Sequence, residues 1–560
     1  LTTQGSHTPH EMEFSITNIS PLRRFWKLLE NHKKEIRQIH LYAILNGFVN
    51  LSLPLGIQAI INYIIVGEVT VSWMILVSFV LIGIALNGVF QVLQLRIVEN
   101  IQQDVFNGSA FNFAYRLPKV SQDQLDQNHV PELVNRFFDT LTIQKGLPKI
   151  LIDFSLSAFT IFFGLILLSI YSPYFILLAI SLFILLWIIF RLTGKAGLKT
   201  SLKESKYKYN VAHWLEEVAR VNRSFKLSGS SNLHLRKTDE LTTGYLHARE
   251  NHFKILLSQF KYIIGFKIFL AAGLLILGGL LVIENQMNIG QFVAAEIIII
   301  LIINAVEKVL RVIETIYDVL TALDKIGAIS DLNLDEDEGR TALSVQPLAL
   351  EMENGTFAFP EEESPVFQHL NLRIPANEKV VITGPSGSGK TILLQILAGI
   401  YHLTEGRLLI NDAPIQHYQE DSYFNLIGVS FPSNELFEGS IRENITMGRE
   451  ISEKDIFQVI HILNLGSFIS SLSKGLEHQI DSGGRRLPRS VIQRLTMARA
   501  LAHNPKLLIL EDPMMFVESS DRHKIINYLM SPEFACTVVV VADHDEWNQE
   551  ANQIIQLIKD

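Results

Sequence analysis

The sequence predicts two folds in series: an all-α membrane domain of six helices, then an α/β domain. Three observations predict this. Mean hydropathy is +0.24 and only 19% of the 560 residues are charged, against about 25% in an ordinary soluble domain. Residues 1–330 carry 30 Lys and Arg against 24 Asp and Glu, a net +6, whereas residues 331–560 carry 18 against 33, a net −15. Six long apolar segments crowd into the basic part, and a strand, a glycine-rich loop and an apolar helix follow one another in the acidic part.

Length and charge exclude several classes at once. At about 150 residues per domain the length leads one to expect three or four units. The soluble part is acidic, so the phosphate footprint of a general nucleic-acid binder is missing. Cys536 is the only cysteine, which excludes a disulfide framework, a CxxC pair and a Cys/His zinc cluster. Its place before the apolar run Thr537–Val541 predicts a buried structural thiol.

Taken in order, residues 1–20 read as a tail, and the first 35 residues show no apolar h-region, so no secretory signal is expected. Pro21–Ile36 reads as a short basic amphipathic helix lying along the cytoplasmic surface. Crossings of a hydrocarbon core about 30 Å thick are expected near 38–65, 71–93, 147–170, 173–192, 255–283 and 289–319. The short gaps Val66–Thr70, Tyr171–Pro173 and Glu284–Asn288 hold no Lys or Arg, whereas the gap 193–253 holds eleven. By the positive-inside rule the short gaps lie outside and both termini are cytoplasmic.

The two inner gaps are long and keep a helical rhythm. They read as membrane helices prolonged into the cytoplasm, each pair joined by a short transverse helix, one near 121–134 and one at Asn210–Val221. Ser121 and Gln124 have the spacing of a capping box for the first, and Trp214 sits centrally in the second. Three ionisable residues fall within crossings. At 1.5 Å per residue, Lys267 lies about 25 Å and Glu307 about 27 Å from the outer ends of helices five and six, a matching depth, while Glu296 is too shallow to join them. They read either as a polar substrate path or as helix–helix glue.

The membrane domain thus spans 21–330, and an acidic linker (331–348, opening DLNLDEDE) leads into a second domain over 349–560. There Lys379–Thr383 reads as a strand, followed by Gly384, Pro385, Ser386, Gly387, Ser388, Gly389, Lys390 and Thr391, then an apolar helix Ile392–Ile400. This is a phosphate-binding loop in its required strand–loop–helix setting. The glycines let backbone N–H groups close on a β-phosphate at a helix N-terminus. Lys390 neutralises β/γ-phosphate charge, and Thr391 can reach Mg²⁺.

Six crossings, long inner loops and a following P-loop domain resemble a half-transporter of the ATP-binding-cassette (ABC) exporter class over residues 20–560. The first crossing, NLSLPLGIQAIIN from Asn50, is similar to the bacterial type I secretion branch, and the expectation is that the peptidase-type domain some members carry does not precede it. The resemblance implies ATP and Mg²⁺ as ligands and a dimer whose two sites each combine one chain's P-loop with the other's signature segment. It implies that the transverse helices couple the cassette to the membrane helices. It also implies that Phe359 stacks on adenine, that His544 is the switch histidine at the γ-phosphate, and that Glu511 holds Mg²⁺ with Thr391.

Other positions depart from the family pattern. Pro432 stands where the family has a glutamine near Mg²⁺, and Leu487–Val491 (LPRSV) stands for the Leu-Ser-Gly-Gly-Gln signature. The earlier Ser482, Gly483 and Gly484 match the glycines before the signature, not the signature itself. The strand Leu507–Leu510 ends in Glu511 then Asp512, where the family has Asp then a catalytic Glu, so Asp512 takes the catalytic position one methylene short. Met515–Glu518 replaces Ser-Ala-Leu-Asp. The expectation is an exporter half in a bacterial inner membrane with weak ATPase of its own. Its expected partners are a second, different half-transporter in preference to a copy of itself, membrane lipid, and by analogy a periplasmic adaptor and an outer-membrane channel. The rival expectation is a membrane-embedded ATP-binding regulatory or structural subunit without transport.

Overall fold

The computed structural model describes residues 20–66, 71–127, 130–335, 339, 341, 343, 345–360, 362, 364–432, 435–542 and 544–558. It divides into two units. One comprises Leu1–Val120 and Asn128–Asn333, the other Ser121–Gln127 and Leu334–Asp560.

Among the described residues the first unit is helical, with six stretches long and apolar enough to cross a membrane: Lys33–Ile65, Val71–Lys119, Val130–Tyr171, Tyr174–Arg220, Leu233–Ile283 and Ile289–Ser330. These contain the six expected crossings, except that the fourth begins at Tyr174 rather than Pro173. Of the outer gap Val66–Thr70, residues 67–70 lie outside the described residues. The helix expected over Pro21–Ile36 is two: α1 (Pro21–Asn31) stops and α2 (Lys33–Val49) starts at His32, whose φ of −115° leaves the helical region. Asn31 and His32 are both weak helix formers, so the helix breaks there. The first crossing breaks as well, between α2 and α3 (Ser52–Val66). Pro54 has no N–H to donate and is tolerated only in a first turn, so the helix restarts just before it.

Four helices are far longer than a bilayer needs. α4 (Val71–Arg116), α9 (Tyr174–Arg220), α11 (Leu233–Gly273) and α13 (Ile289–Ser330) run for 46, 47, 41 and 42 residues. At 1.5 Å per residue each is about 60–70 Å long, roughly twice the hydrocarbon thickness. The inner gaps are therefore helical prolongations, capped by α5 (Gln122–Gln127), α6 (Val130–Asn135) and α10 (Asn222–Leu227). One boundary is corrected. Asn210–Val221 is not a separate transverse helix but the end of α9, because nothing in NVAHWLEEVAR breaks it; the chain leaves the helical region only at Val221, and the short helix is α10. Trp214 is buried there, its Nε1 donating to Thr238 Oγ1 at 3.1 Å and its ring edge-on to Phe225 at 6.0 Å.

The remaining helices, α7 (Asp139–Pro148), α8 (Ser155–Tyr171) and α12 (Gly279–Ile283), pack with α13 at the centre. Ile298, Ile302 and Val306 of α13 share a core with Phe266 and Leu270 of α11. Further along, Val312 and Val319 share another with Ile143 and Leu147 of α7. Buried polar groups are matched across helices: Gln259 Nε2 donates to Thr193 Oγ1 at 2.9 Å and to Tyr317 Oη at 3.1 Å. Arg24 pairs with Asp331, tying α1 to the end of α13. The expected Lys267–Glu307 pair forms, and Arg311 joins Glu307 at 3.3 Å; Glu296 stands apart and exposed.

The second unit is α/β. A parallel sheet has the order β11 (Gln553–Gln556), β3 (Lys379–Thr383), β10 (Thr537–Val541), β9 (Leu507–Glu511), β6 (Ile427–Ser430). An antiparallel sheet has the order β2 (Phe367–Ile374), β1 (Leu350–Phe357), β4 (Glu405–Ile410), β5 (Ala413–Pro414), and β7 (Gly439–Ser440) pairs with β8 (Gln479–Ile480). β3, β9 and β10 are covered on both faces, which is why they read as unbroken apolar runs rather than alternating ones. The helices are α14 (Lys390–Leu397), α15 (Glu420–Phe424), α16 (Ile441–Thr446), α17 (Glu453–Ile462), α18 (Gly466–Ser471), α19 (Arg489–Leu501), α20 (Ser519–Met530) and α21 (Asp545–Glu550).

Cys536 is fully buried, and burial pushes its thiol up to about 12, so it is the inert thiol expected. Beside it the buried Lys379 donates from Nζ to the carbonyl of Phe534 at 2.7 Å and to that of Cys536. Within this unit α5 starts directly after Ser121, whose carbonyl accepts from Gln124 and Leu125 N–H at 3.0 and 3.2 Å, and the Tyr401 hydroxyl donates to Asp126.

Candidate functional site

The phosphate loop leaves β3 and turns directly into α14. Gly389 holds φ +84°, and a Cβ there would come 2.8 Å from Val366 Cγ1. At Gly384 a Cβ would come 2.6 Å from the Leu557 carbonyl oxygen. Both positions accept glycine only. The loop curls around its own lysine: Lys390 Nζ donates to the carbonyls of Gly384 at 2.7 Å and Pro385 at 3.0 Å. Ser388 Oγ is buried without a hydrogen-bond partner inside the same loop.

The facing wall is the end of β9, one strand beyond β10. Thr391 Oγ1 donates to Glu511 Oε1, so the two residues expected to hold Mg²⁺ are in contact. Burial pushes the Glu511 carboxyl up and the neighbouring Asp512 adds to this, while the Thr391 hydrogen bond and the Lys390 charge pull it down. A half-buried acid beside a second acid, a hydroxyl and an ammonium is a donor set that fits a hard cation between phosphates. The loop, with its lysine and unpartnered serine, fits an anionic phosphate chain.

Asp512 is held in an uncommon backbone state, φ +39°. Both of its backbone groups are clamped: its N–H donates to the Val541 carbonyl at 2.8 Å, and its carbonyl accepts from Gln493 Nε2 at 2.8 Å. Gln493 Oε1 in turn accepts from Phe516 N–H at 2.9 Å. Gln493, on α19, therefore sets the path of residues 512–516, a role the sequence reading did not assign to it. Its only signal there was its place in Gln493-Arg494-Leu495. A cavity of about 360 Å³ opens beside these residues, lined by Pro432, Gln493, Glu511, Asp512, Met515 and Phe516 among others.

The segment Leu487–Val491 brings no glycine to this region. α19 starts at Arg489, which is exposed with its guanidinium 5.1 Å from the Phe516 ring centroid. Two departures from the family pattern thus touch each other. Ser482–Gly484 forms a separate tight turn, with Gly483 at φ +70°.

His544 stands at the N-terminus of α21, its Nε2 3.5 Å from Arg522 Nη1; Arg522 is itself held by a two-pronged pair with Glu546, at 3.0 and 3.2 Å. Asp543 lies outside the described residues. Phe359 is half-buried, edge-on to Phe357 at 5.2 Å and to Tyr401 at 6.0 Å. The structure thus brings Lys390, Thr391, Glu511 and Asp512 together at the ends of neighbouring strands and packs Phe359 in an aromatic cluster.

Comparison with known proteins agrees with this geometry. The model of the ABC transporter transmembrane region matches residues 39–306, and the ABC transporter model matches residues 367–515. An ATP-dependent lipid A-core flippase of Desulfotalea psychrophila is 26% identical over 65% of this chain and 64% of its own length. The colicin V secretion/processing ATP-binding protein CvaB of Escherichia coli is 28% identical over 50% of this chain and 40% of its own length. The aligned stretch thus covers from two-fifths to just under two-thirds of these curated relatives. A solved structure of a bacterial Atm1-family ABC exporter with ATP bound superposes with a TM-score of 0.82 at 17% identity, over 94% of this chain and 93% of that one, a likeness of fold.

Proposed function

Since this chain belongs to the ABC transporter family, with the transmembrane region and the ATP-binding domain on one polypeptide, we propose that it is one half of an exporter that binds Mg-ATP well and hydrolyses it slowly. The observation that carries this reading is the unequal state of the two walls of the site. Lys390 and the loop glycines keep all the groups that cradle phosphates, and Thr391 with Glu511 supplies the ligands for Mg²⁺. Asp512 occupies the position of the base that polarises water, with a side chain one methylene short on a clamped backbone. A misplacement of about 1 Å costs about 10²-fold in rate.

Slow turnover by this chain alone favours a working dimer with a different half-transporter, in which each composite site carries one class of defect rather than two. The basic inner gaps favour cytoplasmic termini, and the bacterial origin of the relatives favours a bacterial inner membrane. Among the relatives, one is named for lipid A-core flipping and one for colicin V secretion, and either class of cargo, lipid or polypeptide, suits an exporter half. If the cargo is a polypeptide in a double-membrane bacterium, a periplasmic adaptor and an outer-membrane channel complete the path.

The test is equilibrium Mg-ATP binding and steady-state hydrolysis by the purified full chain. Tight binding with turnover well below about 1 s⁻¹ is the expected pair of results. Turnover at or above that rate, lost in Lys390→Ala, shows an ordinary hydrolytic site and overturns the reading.

A further inference from the structure

Three acids outside the nucleotide site share one level of the membrane unit. Asp139 on α7, Glu204 on α9 and Asp318 on α13 line a single cavity of about 200 Å³. At about 1.5 Å per residue they lie about 48, 45 and 44 Å from the outer ends at Tyr171, Tyr174 and Ile289. A hydrocarbon core is about 30 Å thick. The cavity therefore belongs to the prolonged ends of these helices, where aqueous ions reach it.

Its lining is rich in oxygen. Thr142, Ser201, Ser205 and Thr321 bring hydroxyls beside the three carboxylates, and Lys208 brings the lining's ammonium. Ser201 and Thr321 satisfy each other at 2.9 Å. Ser205 is only 6% exposed, and its Oγ has no hydrogen-bond partner. A buried hydroxyl is costly unless something within reach bonds it. The acids are unequally matched. Asp139 accepts from the Tyr209 hydroxyl at 2.6 Å and has Lys208 Nζ at 3.9 Å, and Glu204 is paired with Arg249 at 3.2 Å. Asp318 is exposed and makes no hydrogen bond or ion pair among the described residues. Further charges around the three are Glu132, Glu314 and Asp324 against Arg136, Arg249 and Lys325. With Lys208 the neighbourhood holds six acids against four cations, a net −2.

We propose that this cavity binds one hydrated Mg²⁺, its waters bonded to Asp139, Glu204, Asp318 and the Ser205 hydroxyl. Among the described residues no three acidic, histidine or cysteine side chains converge to ligate a bare ion, so the ion keeps its water shell. The cavity has the room, since one water needs only about 10–15 Å³. Oxygen-only surroundings select a hard cation, and Mg²⁺ is the one that gives up water reluctantly, whereas Ca²⁺ takes about six to eight oxygens directly. Its charge neutralises the net −2, and its shell ties α7, α9 and α13 together beyond the bilayer. The site shares no residue with the nucleotide-binding unit, so its failure leaves the ATP reading standing.

Mn²⁺ binding to the nucleotide-free full chain in neutral maltoside micelles, followed by loss of the free-ion EPR signal, tests this. One Mn²⁺ per chain is expected, displaced by millimolar Mg²⁺ but not by K⁺ at the same concentration. Hexaamminecobalt(III), which keeps its own ligands and mimics a hydrated ion, should compete as well. Asp318→Asn should weaken binding about tenfold or more, Asp318→Glu should recover most of it, and Ser205→Ala should cause a smaller loss. Glu511→Gln, which removes an acid of the nucleotide site, should leave the count at one. Unfolding midpoints recorded in EDTA report whether each variant has folded, and the competition arms need only the parent chain. No Mn²⁺ bound without nucleotide, displacement by K⁺, or no competition from hexaamminecobalt(III) would each overturn the proposal. So would parental affinity in folded Asp318→Asn, or loss of the bound ion in Glu511→Gln.

Discussion

The two walls of the nucleotide site grow from one parallel sheet, yet they have been treated differently. The wall after β3 keeps every residue type that a phosphate cradle needs, and its glycines sit where a Cβ would collide with Val366 or Leu557. The wall after β9 has exchanged its residues: Asp512 for a glutamate, Met515–Glu518 for the usual loop, and Arg489 for a glycine across from Phe516. In the reading proposed above, holding a nucleotide and cleaving it depend on different strand ends.

The strongest way to break this comparison is to remove the cradle's cation. Lys390→Ala should weaken ATP binding by more than about 100-fold, since loss of one partner of a charge-assisted contact costs about 3 kcal/mol or more. Equilibrium binding measures it, and an unchanged affinity would mean that the β3 wall is vestigial. The comparison is sharpened from the other side by Asp512→Glu, which restores the missing methylene. Turnover should rise by about tenfold or more with affinity unchanged. A flat response would place the defect in the clamped backbone or in the Leu487–Val491 segment rather than in side-chain length.

The smallest effect concerns what holds the second wall in place. His503 lies just past α19, its Nε2 donating to the Ile427 carbonyl at 2.8 Å while Nδ1 is buried without a partner. Burial, reinforced by the charge of Arg449, holds its pKa below the ordinary histidine value. The unfolded chain then binds a proton that the folded chain resists, so stability falls as pH drops through the ordinary value of about 6.5 toward the lowered one. Thermal unfolding between pH 7.5 and 5.5 should show this decline, and His503→Gln should flatten it. A slope unchanged in the variant would assign the decline to other groups.

How much of this was legible in the sequence depended on the range of the interactions. The six crossings, β3, β9 and the loop between β3 and α14 were readable because each is written in local periodicity or in a contiguous motif. The break at Pro54 and the run of α9 through Asn210–Arg220 turned on single residues, one a breaker and the other the lack of one. Phe359 was readable as an aromatic at the right distance from the loop, but its packing on Phe357 and Tyr401 was not. The Lys267–Glu307 pair was foreseen because depth along a helix is simple arithmetic. Gln493 bracing Asp512 and Phe516 was not, since it joins residues about twenty positions apart through side-chain-to-backbone bonds that leave no periodic trace.

The length of the four continuous helices has a mechanical consequence. A rod of about 70 Å with no hinge at the bilayer surface cannot absorb a push at its inner end by bending locally. It transmits it as tilt. A rotation of about 5° about one end displaces the other by about 6 Å over the length of such a helix, more than the radius of a water molecule several times over. Small angular changes at the cytoplasmic tips of α9 and α11, where Trp214 locks α9 to Thr238, are thereby geared up into larger motions at the outer ends of the same helices. In that sense the prolonged helices are levers, and Trp214 is placed where one would grip them.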